Sequence, residues 1–254
     1  MSKFTREKYV VDGVETIVYT AGSGEPVVLF HGAGTAEGFD FAEQWAQKFR
    51  VIVPYHPGFG ESADEPAYTD IHDYVLHYLG LFDQLGLQTF KLVGVSFGGY
   101  LAAKFAIEHG HRLKKLVLVA PYGLAVEKYP LTDILALPAE KLIPMLVSNF
   151  DNLKKKLPES PDMDFMAARY REATTFARLM WEHPLDFRLP RYLPRIKTPT
   201  LLVWGEEDKI IPVQHAEVWK KGIPGAEVRI FKGAGHLVQL EKSEAVEAIA
   251  SFLS

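Results

Sequence analysis

Apolar residues recur along this chain with two different spacings, and the two spacings predict different elements. Short apolar runs at residues 26–30, 51–53 and 116–120 have the length of buried strands. Between residues 70 and 86 the apolar positions instead follow the helical period: Ile71, Tyr74, Val75, Tyr78, Leu79, Phe82 and Leu85. Strand-like and helical stretches that alternate at this spacing are typical of βαβ units, so the pattern predicts an α/β fold with a parallel sheet.

Both ends of the chain fit the same fold. Asp12 and Gly13 predict a tight turn between two amino-terminal strands. The apolar positions from Val246 to Leu253 predict a closing amphipathic helix. A chain of 254 residues with 48% apolar and 24% charged residues is long enough to build one large core.

The alternation stops in the third quarter of the chain. From Pro121 to about Ile196, scattered prolines separate short helical stretches, and no strand-like run occurs. We interpret residues 122–196 as a helical subdomain inserted into a core that residues 1–121 and 197–254 form.

Composition excludes several kinds of protein. No run of 18 apolar residues is present and residues 1–8 are polar, so we expect neither a membrane span nor a signal peptide, and a cytoplasmic location is the default. The chain has no cysteine, which excludes disulfides, thiolate metal sites and a cysteine nucleophile. Its net charge of −4 and the lack of a basic stripe argue against nucleic-acid and membrane partners. None of its nine histidines has metal-site spacing, so we expect no metal.

The most informative motif is Gly94-Val95-Ser96-Phe97-Gly98. It follows an apolar run at residues 90–93 and precedes a helix-like stretch that begins at Leu101. In this context the motif predicts a sharp strand–turn–helix connection that exposes the hydroxyl of Ser96. The flanking glycines are needed because side chains two residues on either side of such a strained turn would collide with the adjoining elements.

A serine nucleophile needs a general base, and the base needs a carboxylate that fixes its tautomer. Asp208 follows a predicted buried strand at residues 201–205, and His236 lies in a glycine-lined loop beyond the next strand. These residues are the candidate acid and base, with Glu206 and Glu207 as alternatives for the acid.

Backbone donors complete the candidate chemistry, because acyl transfer builds negative charge on an oxygen atom. The N–H group of Phe97 begins the helix after Ser96, where donors are unpaired. A second donor is expected from the loop after residues 26–30, at Ala33 with a margin of one residue. His31 is interpreted as structural, and His56 is left without a role.

Five segments, each at the end of a predicted strand, resemble motifs of the α/β-hydrolase family: residues 31–34, 57–62, 94–99, 205–212 and 235–236. The resemblance covers nearly the whole chain. It implies an eight-stranded, mostly parallel sheet with helices on both faces and a helical cap inserted after the sixth strand, which corresponds to residues 122–196. It points to the branch with a serine nucleophile, either carboxylesterase-like or C–C-hydrolase-like.

The resemblance and the candidate triad together imply a serine hydrolase. His236 takes the proton of Ser96, Ser96 attacks a carbonyl carbon, and water releases the acyl group from the enzyme, with no cofactor. We expect a carboxylic ester as substrate, because esters need the least additional machinery. We expect the large apolar residues of the cap to divide between packing and the ceiling of a pocket for a small molecule with an apolar part. They include Leu135, Met163, Met166, Phe176, Met180 and Trp181.

Other functions remain open at this point. C–C bond hydrolases of vinylogous diketones resemble this chain, but they usually carry Asn where Val95 stands, and Pro and Asn where residues 35–38 read Thr-Ala-Glu-Gly. Lactonases and perhydrolases use the same triad. A ligand receptor on this fold can keep an idle triad, so a non-enzymatic role is also open, as is the oligomeric state.

Overall fold

The computed structural model describes residues 4–254, and its framework is an eight-stranded sheet. The strands are β1 (Thr5–Val11), β2 (Val14–Ala21), β3 (Pro26–Phe30), β4 (Arg50–Pro54), β5 (Phe90–Val95), β6 (Leu113–Val119), β7 (Thr200–Gly205) and β8 (Glu227–Phe231). Their order across the sheet is β1-β2-β4-β3-β5-β6-β7-β8. The pairs β1–β2 and β2–β4 are antiparallel, and every other neighbouring pair is parallel. The predicted mostly parallel, eight-stranded α/β sheet is confirmed.

Helices follow the strands in the predicted manner. They are α1 (Ile71–Gln84), α2 (Phe97–His109), α3 (Ala139–Leu142), α4 (Phe150–Lys154), α5 (Met163–Met180), α6 (Leu189–Tyr192), α7 (His215–Gly222), α8 (Val238–Glu241) and α9 (Ser243–Leu253). Short 3-10 helices lie at Asp40–Gln47, Gly110–Arg112, Ile143–Met145 and Leu193–Arg195. The periodic stretch at 70–86 forms α1, and the closing stretch forms α9.

Helices cover both faces of the sheet, which explains why its central strands are apolar without alternation. Every residue of β5 and β7 is buried. Along β3, Val28 belongs to the same core as buried side chains of α1, α2 and α7, whereas Val27 and Leu29 belong to a second core with buried side chains of α9. Successive side chains of a strand point to opposite faces, so each strand contributes to two separate cores.

The start of α1 is fixed by a reciprocal cap. The carboxylate of Asp70 accepts hydrogen bonds from the N–H groups of His72 and Asp73, and Asp73 in turn accepts one from the N–H group of Asp70. This cap sets the rotation of the helix, so that Tyr74 and Tyr78, one turn apart, both point into the core.

The helices from α3 to α6 all lie between β6 and β7, in the region where the sequence pattern breaks. The expectation of only short helices there is wrong, because α5 is 18 residues long. No proline occurs between Pro161 and Pro184, and Asp162 caps the helix through the N–H group of Phe165. The proposed boundaries of the cap, residues 122–196, stay a prediction.

Only one side of α5 packs against the core. Phe176, Leu179 and Met180 are buried there, whereas Met163 and Met166 face solvent. The expectation that these two methionines are packed is therefore wrong, since Met163 is 83% and Met166 53% exposed. Along residues 4–254 no helix has both the length and the hydropathy that crossing a bilayer requires.

Candidate active site

Ser96 lies at the point where β5 turns sharply into α2. Its φ of 52° and ψ of −115° place a non-glycine residue in a strained backbone conformation. Three hydrogen bonds hold it there. Its N–H group donates to the carbonyl of Val119 (2.8 Å), and its carbonyl accepts from the N–H groups of Tyr122 (2.9 Å) and Tyr100 (3.1 Å). The predicted strand–turn–helix context is thus present.

The two flanking glycines are sterically required. A Cβ on Gly98 would meet the carbonyl oxygens of Phe30 and His31, and would lie 2.7 Å from the carbonyl carbon of Phe30. A Cβ on Gly94 would lie 2.7 Å from the carbonyl carbon of Gly98. These are backbone atoms in the packed centre of the fold, so they cannot move aside, and the mechanical reason inferred from the sequence holds.

The acid and the histidine are brought together. Nδ1 of His236 lies 2.9 Å from Oδ2 of Asp208, and the two residues are 3% and 7% exposed. The other carboxylate oxygen of Asp208 accepts from the N–H groups of Ile210 and Ile211, both at 2.8 Å. The structure therefore pairs His236 with Asp208, while the neighbouring Glu206 and Glu207 are exposed.

The hydroxyl of Ser96 has no hydrogen-bond partner among residues 4–254, so it is not bonded to His236 in this structure. Bonds between nucleophile and base often tighten only when substrate is bound. The residue before Ser96 is the buried, apolar Val95, so this position of the turn offers no polar side chain.

The loop after β3 passes directly beside the serine. We call residues 31–38 the oxyanion loop. A Cβ on Gly32 would lie 3.6 Å from Cβ of Ser96. The N–H group of Ala33 donates to no other group in the described chain, and Phe97 is the first residue of α2, where N–H groups lack helical partners. Both predicted donors are therefore adjacent to Ser96, and their role stays a prediction.

Two buried histidines and a tyrosine hold the oxyanion loop. Nε2 of His31 accepts from the N–H group of His56 (3.0 Å), so its Nδ1 carries the proton and donates to the carbonyl of Gly32 (2.7 Å). Nε2 of His56 donates to the carbonyl of His31 (3.0 Å), and its Nδ1 accepts from the hydroxyl of Tyr78. Each ring nitrogen has one partner, which assigns both tautomers.

Both histidines are neutral at ordinary pH. Burial lowers the pKa of His31 to about 3, and it lowers the pKa of His56 well below its usual value. They cannot serve as proton carriers in the reaction and act instead through the loop that they hold. His31 therefore has a structural place, and His56, which had no role from the sequence, shares it.

A polar cluster over the oxyanion loop escaped the sequence analysis. Glu172 on α5 is only 2% exposed, and its carboxylate accepts from Oγ1 of Thr35 (2.6 Å), the N–H group of Gly60 (3.0 Å) and Nη2 of Arg169 (2.9 Å). Nη2 of Arg169 also reaches Oγ1 of Thr35 (3.0 Å). Thr35 and Gly60 lie 137 and 112 residues from Glu172 along the chain, so no local pattern could indicate these two contacts.

An apolar cavity of about 670 Å³ opens between residues 122–135 and residues 180–187. Its walls include Tyr122, Leu131, Leu135, Met180, Trp181 and Phe187. Tyr122 connects it to the elbow, because its N–H group binds the carbonyl of Ser96 and its ring packs on Phe176, which in turn packs on Phe97. Within residues 4–254 no three His, Asp or Glu side chains converge as metal ligands would.

A strained serine after the fifth strand of a mostly parallel sheet, with an acid and a histidine after two later strands, defines the class of α/β-hydrolases. The model of the alpha/beta hydrolase family matches residues 27–249, and the chain belongs to that family. The protein is accordingly a hydrolase.

Several known proteins resemble the whole chain. The 2-hydroxy-6-oxo-2,4-heptadienoate hydrolase of Pseudomonas putida F1 is 28% identical over 95% of this chain and 94% of its own. The 2-hydroxymuconate semialdehyde hydrolase of Pseudomonas putida is 31% identical over 91% of this chain and 88% of its own. A bacterial membrane phospholipase A matches with a TM-score of 0.85 and 23% identity, over 99% of this chain and 86% of that one. At that identity the solved structure shows the shared fold alone.

Proposed function

We propose that this protein hydrolyses a carbon–carbon bond in a vinylogous diketone that carries a carboxylate. C–C bond hydrolysis, an alternative in the sequence analysis, thus ranks above hydrolysis of a simple ester. The two Pseudomonas putida relatives described above are named as hydrolases of 2-hydroxy-6-oxo-2,4-heptadienoate and of 2-hydroxymuconate semialdehyde, at 28% and 31% identity. One observation on this chain supports it most directly. Nε and Nη1 of Arg169 are buried and have no partner in the described chain, beside the oxyanion loop.

The unpartnered nitrogens of Arg169 suit a substrate carboxylate. A buried guanidinium donor without an acceptor costs free energy, and an oxygen of a carboxylate can accept a charged hydrogen bond from either nitrogen. One of the relatives is named as acting on a dienoate, which carries such a group. The third nitrogen, Nη2, is held by Thr35 and Glu172, so the side chain is already oriented.

The triad would act on the ketone of this substrate. His236 takes the proton from Oγ of Ser96, Ser96 forms a bond to the carbonyl carbon, and the N–H groups of Ala33 and Phe97 stabilise the oxyanion. Collapse of the intermediate breaks the carbon–carbon bond. The electron pair passes to the conjugated carbonyl of the leaving fragment, which takes up the proton from His236. Water then cleaves the acyl-enzyme, and the apolar cavity gives room for a non-polar part of the substrate.

Carboxylic ester hydrolysis is the second candidate, and Val95 favours it. This buried apolar residue stands where C–C hydrolases resembling this chain usually have Asn, so the elbow offers no polar side chain to the substrate. The leaving group of an ester is an alkoxide, and its departure does not need a polar side chain at this position. Under either candidate we expect a small-molecule partner with an apolar part.

Parallel assays of two substrate classes test the proposal. Loss of the visible absorbance of 2-hydroxy-6-oxo-dienoates measures C–C cleavage, and p-nitrophenyl esters from acetate to a long acyl chain measure ester cleavage. We expect faster turnover of the dienoates, abolished in Ser96→Ala. We also expect KM for the dienoate to rise about 100-fold in Arg169→Met, which corresponds to losing one charged hydrogen-bonded pair.

Arg188→Met is the matched control, because Arg188 also lies in the cap but is a solvent-facing cation 3.9 Å from Asp186. It should leave both activities unchanged. Ester turnover without any dienoate cleavage would reject the C–C proposal in favour of the esterase. Activity that survives Ser96→Ala would reject both.

A further inference from the structure

One carboxyl group of the oxyanion loop takes no part in the mechanism above. Glu37 lies in the oxyanion loop, four residues after Ala33, and is partly buried. Its Oε2 is 4.0 Å from the position that a Cβ would take on Gly34, and Oε2 of Glu172 is 3.9 Å from the same point. Two carboxyl groups from different elements therefore approach one residue of this loop.

These two groups differ in their partners. The carboxylate of Glu172 is surrounded by donors from Thr35, Gly60 and Arg169. The carboxyl group of Glu37 binds no other residue among residues 4–254. Apart from a hydrogen bond to the backbone of Glu37 itself, its bonding capacity is thus available to a molecule that enters the site.

The surroundings of Glu37 favour its protonated form. Burial raises the pKa of Glu37 to about 7, and the negative charge of Glu172 acts in the same direction. A hydrogen bond from the backbone of Glu37 itself lowers the pKa, and the positive charges that face it, Arg169 on α5 and His236 when protonated, act in the same downward direction. The charges of Arg169 and Glu172 cancel. The three side chains together are therefore neutral when Glu37 is protonated and carry one negative charge when it is ionised.

We propose that Glu37 is a specificity-determining residue of this active site, which donates a hydrogen bond to a substrate oxygen beside Arg169 when protonated and disfavours anionic substrates when ionised. This inference deepens the proposed function and rests on the same site. An anion held by Arg169 lies near the carboxyl group of Glu37, where a second negative charge in a partly dry site repels it. A neutral substrate of the same shape feels no such repulsion.

A matched pair of esters measures this selectivity without depending on C–C cleavage. The p-nitrophenyl monoester of glutaric acid is anionic, and p-nitrophenyl valerate is a neutral analogue of the same chain length. For the wild type, we expect kcat/KM of the anionic ester relative to the neutral one to fall about tenfold from pH 6 to pH 8.5. In Glu37→Gln, which keeps the shape and remains a neutral donor, the ratio should be constant.

Glu207→Gln is the control, because Glu207 is an exposed carboxylate near Asp208 that makes no side-chain contact with the loop. It should reproduce the wild-type ratio at every pH. A readout that needs no turnover comes from calorimetric binding of hexanoate and hexanamide to Ser96→Ala, with and without Glu37→Gln. Hexanoate binding should weaken with pH only where Glu37 is present.

The outcomes separate this inference from the proposed function. If dienoates are not cleaved but the pH dependence of the ester ratio still requires Glu37, C–C hydrolysis is rejected and the inference about Glu37 is supported. The same pH dependence in wild type and Glu37→Gln, in kinetics and in binding, would overturn it, and so would binding of neither ligand.

Discussion

Replacing Tyr78 by Phe tests whether the buried His31 and His56 position the oxyanion loop. The substitution keeps the ring, which packs on Phe30 at 4.3 Å between centroids, and removes only the hydroxyl group. Nδ1 of His56 then loses its donor in a fully buried environment. A change of tautomer would not restore a partner to that nitrogen, and it would remove the proton that Nε2 donates to the carbonyl of His31.

The free-energy cost of Tyr78→Phe follows from this lost hydrogen bond. A buried acceptor left without a partner costs about 1–3 kcal/mol, so the free energy of unfolding of Tyr78→Phe should fall by that amount. Removing one oxyanion donor outright costs about 10²–10³ in kcat. Here the donor of Ala33 remains and only the loop that carries it loosens, so we expect a smaller loss, about tenfold in kcat, with little change in KM.

Tyr74→Phe supplies a matched control one helical turn earlier. Tyr74 is equally buried, and its hydroxyl group donates to the carbonyl of Pro57 at 2.8 Å and makes no hydrogen bond to either histidine ring. Urea unfolding of both variants should show similar losses of stability, but initial rates with a p-nitrophenyl ester should fall only in Tyr78→Phe. Equal rates in the two variants would refute the argument that His56 acts through the loop.

Two further predictions concern charge. Asp208→Asn should lower kcat by about 10⁴ with an unchanged fold, because an amide cannot hold His236 in the tautomer that its 2.9 Å bond to Asp208 selects; circular dichroism and initial rates check this. Glu37→Gln should stabilise the protein at pH 8 but not at pH 4.5. The raised pKa of Glu37, about 7, means that its ionisation destabilises the folded state increasingly between those values, by up to about 3 kcal/mol. Urea unfolding at both pH values measures it, and an equal effect at both would contradict the assignment.

The sequence predicted the sheet because its strands are governed by local pattern. Continuous apolar runs such as residues 26–30 can be buried only in a sheet covered on both faces, and the structure has that arrangement. The elbow was equally accessible, since Gly94 and Gly98 face backbone atoms and no other residue fits. At such positions the backbone geometry permits only glycine, so the requirement is visible in the sequence.

The cap was harder to predict because its long helix is held by tertiary contacts. On α5, Phe176 packs into the core while Met163 is exposed, and nothing in the apolar pattern alone separates the two. Glu172 reads as an ordinary surface residue of a helix. Its burial depends on Thr35 and Gly60, which come from two distant loops and become neighbours only in the folded protein.

This difference explains why the reaction class can be inferred more securely than the substrate. The turn at Ser96 and the pair formed by Asp208 and His236 depend on backbone geometry at strand ends, which any hydrolase with this sheet must keep. The side chains of Glu37 and Arg169 are under no such backbone constraint, because neither residue has the positive φ that singles out Ser96. They are free to change with the substrate, so the specificity of this hydrolase should be sought in the space between the oxyanion loop and α5.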